Sequence, residues 1–198
     1  MKRIASLSGV LALVFVGCGL ISSPPIDNPF GLQDQQSRIE LRPSLTATGT
    51  ATATATFNDI TLNSPLTPTG FTYNLAISNV QFSGSGCPSS LPGSVQVKMD
   101  VSITVSDNPN PTSGPRTASA RATNVQFNLN ASGSGYTVSN LTGGSLTFSN
   151  LQTLLNILQD GGQNTATLNA TVNTTSNPDL AGCTMTITWG GGQGVLKF

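Results

Sequence analysis

Ser94-Val95-Gln96-Val97-Lys98-Met99-Asp100-Val101-Ser102-Ile103-Thr104-Val105-Ser106 settles the fold class. Val95, Val97, Met99, Val101, Ile103 and Val105 take alternate positions, and Gln96, Lys98, Asp100, Ser102 and Thr104 stand between them. Successive side chains of a strand point to opposite faces, so a period of two buries one face and wets the other, a segregation no helix achieves. At about 3.4 Å per residue the run spans roughly 40 Å, about twice the usual strand length. Asp107-Asn108-Pro109-Asn110-Pro111-Thr112-Ser113-Gly114-Pro115 follows, dense in turn formers, and returns the chain.

The same period extends in both directions. After the turn, Ala118, Ala120 and Ala122 share one parity and Val125, Phe127 and Leu129 the other, the signature of a β-bulge. Upstream, Phe71, Tyr73, Leu75 and Ile77 alternate, and Val80 and Phe82 change parity in the same way. Asn79-Val80-Gln81-Phe82 returns as Asn124-Val125-Gln126-Phe127, and Ser83-Gly84-Ser85-Gly86 as Ser132-Gly133-Ser134-Gly135. Two copies are compatible with a weak duplication or with coincidence in a chain rich in Ser, Gly and Asn. Thr46 to Thr56 nearly alternates Thr with Ala, which sets threonines on one face, and its β-branched residues disfavour a helix. Gln163 to Thr175, Cys183 to Trp189 and Val195 to Phe198 read as further strands. One segment breaks the pattern. Behind Ser149-Asn150, Leu151, Leu154, Leu155 and Leu158 fall at helical spacing before Gly161-Gly162, which predicts a ten-residue amphipathic helix. The expected fold is mostly β: an antiparallel β-sandwich or open β-roll of eight to ten strands, with the helix packed on the valine-rich face of Val95 to Val105.

Composition narrows the function classes. Eight basic residues balance eight acidic ones, charged residues are 8% of the chain, and histidine is absent. No basic field for nucleic acid follows from such a balance. Hydroxyl and amide side chains must wet most of the surface.

Met1-Lys2-Arg3 is a basic start, Ile4 to Val16 is an apolar run of the length an export signal needs, and Val16-Gly17-Cys18 ends it. This beginning resembles that of bacterial lipoproteins, whose signal closes in a lipobox of Leu-(Ala/Ser/Val)-(Gly/Ala)-Cys; Phe15 stands where that pattern has a smaller aliphatic residue. The resemblance covers about the first twenty residues. It implies cleavage before Cys18, a lipid on Cys18, and a place in the cell envelope, on a membrane, facing the periplasm or the cell surface. An uncleaved membrane anchor over Ile4 to Ile21 and an ordinary secretory signal are the alternatives. The organisation expected is a signal peptide over 1–17, a lipidated cysteine and flexible tether over 18–44, rich in Pro and Gln, and one β-rich domain over 45–198. With Cys18 assigned to lipid, Cys87 and Cys183 remain as a pair that an oxidising compartment would join, two unconnected buried thiols being the other reading.

Chemistry is sparse. Without histidine the usual general base and the commonest metal ligand are missing. No serine lies in Gly-x-Ser-x-Gly, neither Lys98 nor Lys197 completes Ser-x-x-Lys, and two cysteines supply too few ligands for zinc. Asp107-Asn108-x-Asn110 lacks the spacing and closing acid of a calcium loop. Gly190-Gly191-Gly192-Gln193-Gly194 has no room for a helix after it and reads as a turn. Phe198 and the long strands resemble outer-membrane β-barrels, but eight Phe, two Tyr and one Trp are few for two aromatic girdles. No cofactor, metal or catalytic residue is expected. The leading expectation is a non-catalytic, membrane-anchored envelope lipoprotein, a binding or structural module whose partners are the membrane, through the lipid, and another envelope protein or glycan. A carrier of lipid or another apolar ligand, with the helix over a pocket, is the alternative. A hydrolase built on Asp59, Asp100, Asp107, Asp160 or Asp179 comes third.

Overall fold

A computed structural model describes residues 21–42, 49–62, 65–107, 114–159, 162–175 and 178–198. Among them twelve strands form: β1 (Ile26–Asp27), β2 (Gln36–Glu40), β3 (Gly49–Phe57), β4 (Gly70–Asn74), β5 (Ile77–Ser83), β6 (Ser94–Asp107), β7 (Arg116–Ser132), β8 (Gly135–Thr142), β9 (Ser145–Thr147), β10 (Asn164–Thr175), β11 (Thr184–Trp189) and β12 (Gln193–Lys197). One α-helix, α1 (Leu151–Gln159), and a 3-10 turn at Pro178–Leu180 complete them. The expected fold class holds: mostly β, antiparallel, with one short helix. The strands outnumber the eight to ten anticipated, because β1 and β9 are only two and three residues long.

Eight strands make one large sheet in the order β2-β11-β5-β8-β7-β6-β10-β3, and four make a second in the order β1-β12-β4-β9. Each neighbouring pair is antiparallel. The two edge strands, β2 and β3, therefore run in opposite directions, and they approach one another. At Gly49 a Cβ would stand 2.4 Å from Ile39 Cγ2 and 2.5 Å from the Glu40 carbonyl oxygen, so only glycine allows this closeness. The large sheet is a nearly closed barrel, open along the β2–β3 seam.

Bulges supply the curvature. Thr123 and Asn124 of β7 together oppose Asp100 of β6, since Ala122 pairs Val101 and Val125 pairs Met99. Asn124 takes φ 57°, the left-handed conformation Asn tolerates. On the other side of β6, Asn173 of β10 is extra, between Val172 opposite Met99 and Thr174 opposite Lys98. The parity change after Ile77 is likewise a bulge, at Ser78, whose neighbours pair Trp189 and Thr188. The run from Phe71 to Phe82 is not one strand, however. The chain leaves the small sheet after β4 and enters the large one at β5, beside the turn where Gly190 donates to the Ala76 carbonyl.

The expected tether over 18–44 is contradicted for residues 21–42, which belong to the folded domain. β1 pairs β12, β2 pairs β11, and Phe30, Leu32 and Ile39 are fully buried. Phe30 lies 5.0–5.9 Å, centroid to centroid, from Phe57, Phe71, Tyr73 and Phe148, the middle of an aromatic cluster. Irregular backbone explains the misreading. Asn28, Gly31 and Asp34 all have positive φ, so the apolar residues between them are buried with no period for a sequence reading to find.

The helix starts where expected: Asn150 caps it, Oδ1 accepting from the Thr153 amide at 3.3 Å. It runs nine residues and buries Leu154, Leu155, Ile157 and Leu158, with Leu151 half-buried. It packs against β7 and β6. Ala118, Ala120 and Ala122 are buried in the first half of β7. The side chains of β6 and the helix share one continuous core.

Candidate functional site

Cys18 and the signal residues lie outside the described residues. Cys87 and Cys183 form a disulfide with Cα atoms 4.7 Å apart and a sequence separation of 96. The bridge joins the end of β5 to the start of β11, where Ser83 and Thr184 are already paired. Gly86 packs there so closely on Gly182 that a Cβ would meet its carbonyl oxygen at 2.6 Å. In the chain-entropy model a loop of this length stabilises the fold by roughly 4–5 kcal/mol. Its role is a staple between adjacent strands.

The carboxylates are spread over the barrel. Asp100 faces outward from the middle of β6: its Oδ1 accepts from the Asn124 amide at 3.0 Å and its Oδ2 from Arg121 at 3.1 Å. The Asn124 amide, opposed in part by desolvation and helped by Arg121 and Asn173, holds this carboxyl below the usual range. Asp107, buried at the end of the same strand, has both oxygens taken by the Arg116 guanidinium. Asp59 accepts from Asn164 Nδ2 at 2.9 Å, at the same end of the barrel, where Asn164 heads β10. Asp179 sits in the 3-10 turn beyond the other end of β10, and Asp160 is outside the described residues. Hydrolytic pairs need one carboxyl kept protonated and both open to substrate. Asp107 and Asp100 are instead committed to guanidinium and amide donors. Burial raises the phenols of Tyr73 and Tyr136, which donate to the carbonyls of Gly191 and Pro92.

Two surface features remain. The first is the outer face of β3, β10, β6 and β7, where hydroxyls and amides stand in register. Thr56, Thr165, Ser106 and Thr117 form one row across the four strands, and Thr54, Thr167, Thr104 and Ser119 the next. Thr52, Asn169, Ser102 and Arg121 form a third, in which Thr52 Oγ1 donates to Asn169 Oδ1 at 2.8 Å. Rows of this kind repeat at about 4.8 Å across strands and about 7 Å along them. All four threonines of β3 are exposed.

The second is the seam itself. Arg38, Glu40 and Arg42 on one side, and Gly49, Thr50 and Thr171 on the other, line an open groove of about 430 Å³. It joins the hydroxyl rows, because Thr50 pairs Thr171 at the end of the same array. Sequence reading missed the arginines by assigning them to a tether. A signal was present in Arg38-Ile39-Glu40-Leu41-Arg42, where charged and apolar residues alternate and Ile39 and Leu41 are buried. Against known proteins the chain matches no family model and no curated sequence, so its own residues carry the functional argument.

Proposed function

We propose that this chain is a non-catalytic lipoprotein of the bacterial cell envelope, held to a membrane by a lipid on Cys18 and binding another envelope component, protein or glycan, along the seam. The observation that carries the reading is the groove in which Arg38 and Arg42 flank Glu40 beside the exposed threonines of β3. Paired guanidinium groups and hydroxyl ladders offer charge-assisted and neutral hydrogen bonds to an extended polar ligand. The commitment of Asp100 and Asp107 to strand-locking contacts supports a non-catalytic role. Burial of Leu154, Ile157 and Leu158 at zero exposure within one core supports a filled barrel over the carrier alternative.

A photo-cross-linking residue at position 50 of the full-length protein in living cells tests the reading. A discrete adduct to an envelope component is expected, lost on Arg38→Ala with Arg42→Ala. Adducts that are absent, or unchanged by the arginine substitutions, contradict it.

A further inference from the structure

We propose that the end of the domain around Ile21, Leu66 and Phe198 is a membrane-docking face, seated on the bilayer that the lipid of Cys18 enters; this rests on the anchor proposed above. The Phe198 amide donates to the Ile21 carbonyl at 2.9 Å, the Ser23 amide to Leu196 at 2.9 Å, and the Leu196 amide to Ser23 Oγ at 3.0 Å. The chain is thus fixed to β12 from Ile21 onward. Cys18 stands three residues earlier, and three residues reach at most about 11 Å. A polar layer about 5–8 Å deep covers each side of the hydrocarbon core, so the anchor leaves the domain no room to stand away from the headgroups.

The domain presents an apolar surface there. Pro24, Pro25, Ile60, Leu62, Leu196 and Phe198 line an apolar groove of about 430 Å³ beside the point where the chain emerges. Ile21 is 46% exposed and Leu66 49%. Leu66 belongs to this end, because Thr69, three residues on, donates to the Lys197 carbonyl at 2.7 Å. Lys197 is the one charged side chain within residues 21–26, 60–70 and 195–198, and its sign suits an anionic lipid surface; Asp27 and Asp59, at the borders of these segments, accept hydrogen bonds from Gln193 and Asn164. Apolar residues flanked by a cation are the composition of segments that lie in a membrane interface. Leu91, the other exposed large apolar residue among the described residues, precedes β6 at its far end, since Asp107 ends that strand beside Asn164, the partner of Phe57. The seam groove is also far away, because Thr50 pairs Thr171 at the opposite end of β3 from Phe57. Docking would therefore aim the groove away from the bilayer.

The test uses the full-length protein in phosphatidylethanolamine–phosphatidylglycerol vesicles, with and without brominated acyl chains. Leu66→Trp is compared with Leu91→Trp, and Trp189, 1% exposed, gives the same core background in both. A face lying roughly 5–10 Å into the interface predicts about twofold quenching at position 66 and none at 91. Ile21→Trp, expected to be quenched like 66, guards against a local effect of one substitution. Protein that floats with acylated Cys18 but is no more quenched at 66 than at 91 overturns docking and leaves the anchor standing. Unacylated protein still quenched at 66 supports docking and removes the anchor, whereas unacylated and unquenched protein removes both.

Discussion

Asp100 ties three strands together where β7 and β10 both bulge beside β6. Its carboxylate takes the amide of Asn124, the residue β7 bulges outward, and it also bonds the side chain of Asn173, the bulged residue of β10. The Asp100 side chain is 26% exposed and its Arg121 partner 66%, so its worth is that of an ordinary charge-assisted contact. Asp100→Ala should cost about 1 kcal/mol in urea unfolding, through loss of the Asn124 acceptor. Asp100→Asn keeps an acceptor and should cost less. The pH dependence has a definite sign. The folded carboxyl titrates below its unfolded value of about 4, so its contribution is complete above that pH and is lost as acid carries the pH down through the folded value. Unfolding curves of wild type and Asp100→Asn should differ more at neutral pH than at pH about 3. Equal differences at both would separate the bulge from the charge. The bulge itself was legible from the parity change between Ala122 and Val125. The positive φ of Asn124 and its bond to Asp100 were not, because they depend on which strand lies alongside.

Among the elements, long runs of strict period declared themselves and short irregular ones did not. β6 and β7 follow from alternation alone, and α1 from four leucines and an Asn cap. The segment before residue 43 contributes two strands and the centre of the aromatic cluster, yet its Pro and Gln content reads as linker. Its apolar residues are held by turns, and turns leave no hydrophobic period. The helix is the clearest element to test. Leu158 is fully buried, and Leu158→Ala should cost about 2–5 kcal/mol, read from the urea midpoint at constant slope. A loss below about 1 kcal/mol, with saturable uptake of a fluorescent fatty acid, would indicate a void under the helix and return the carrier reading.

For the whole molecule, closure joins the two edges of one sheet, β2 and β3, which follow one another in sequence but stand at opposite ends of the strand order. β2 and β3 meet at Gly49 with six strands between them in the sheet, and nothing in local periodicity announces that order. The candidate site was hidden because its arginines stand on and beside one edge strand while its threonines stand on the other edge strand and on β10, its neighbour. The Cys87–Cys183 pair was legible by counting once Cys18 was set aside for lipid. That assignment also governs the molecule's orientation, because a domain bonded from Ile21 onward, three residues after Cys18, sits at the membrane if the lipid is there. Mass spectrometry of the amino-terminal peptide of protein isolated from its own cells is the most direct test. The account predicts a chain that begins at Cys18 and carries acyl groups, two or more of which give stable retention. A chain that keeps Met1, or begins elsewhere with an unmodified terminus, would contradict it.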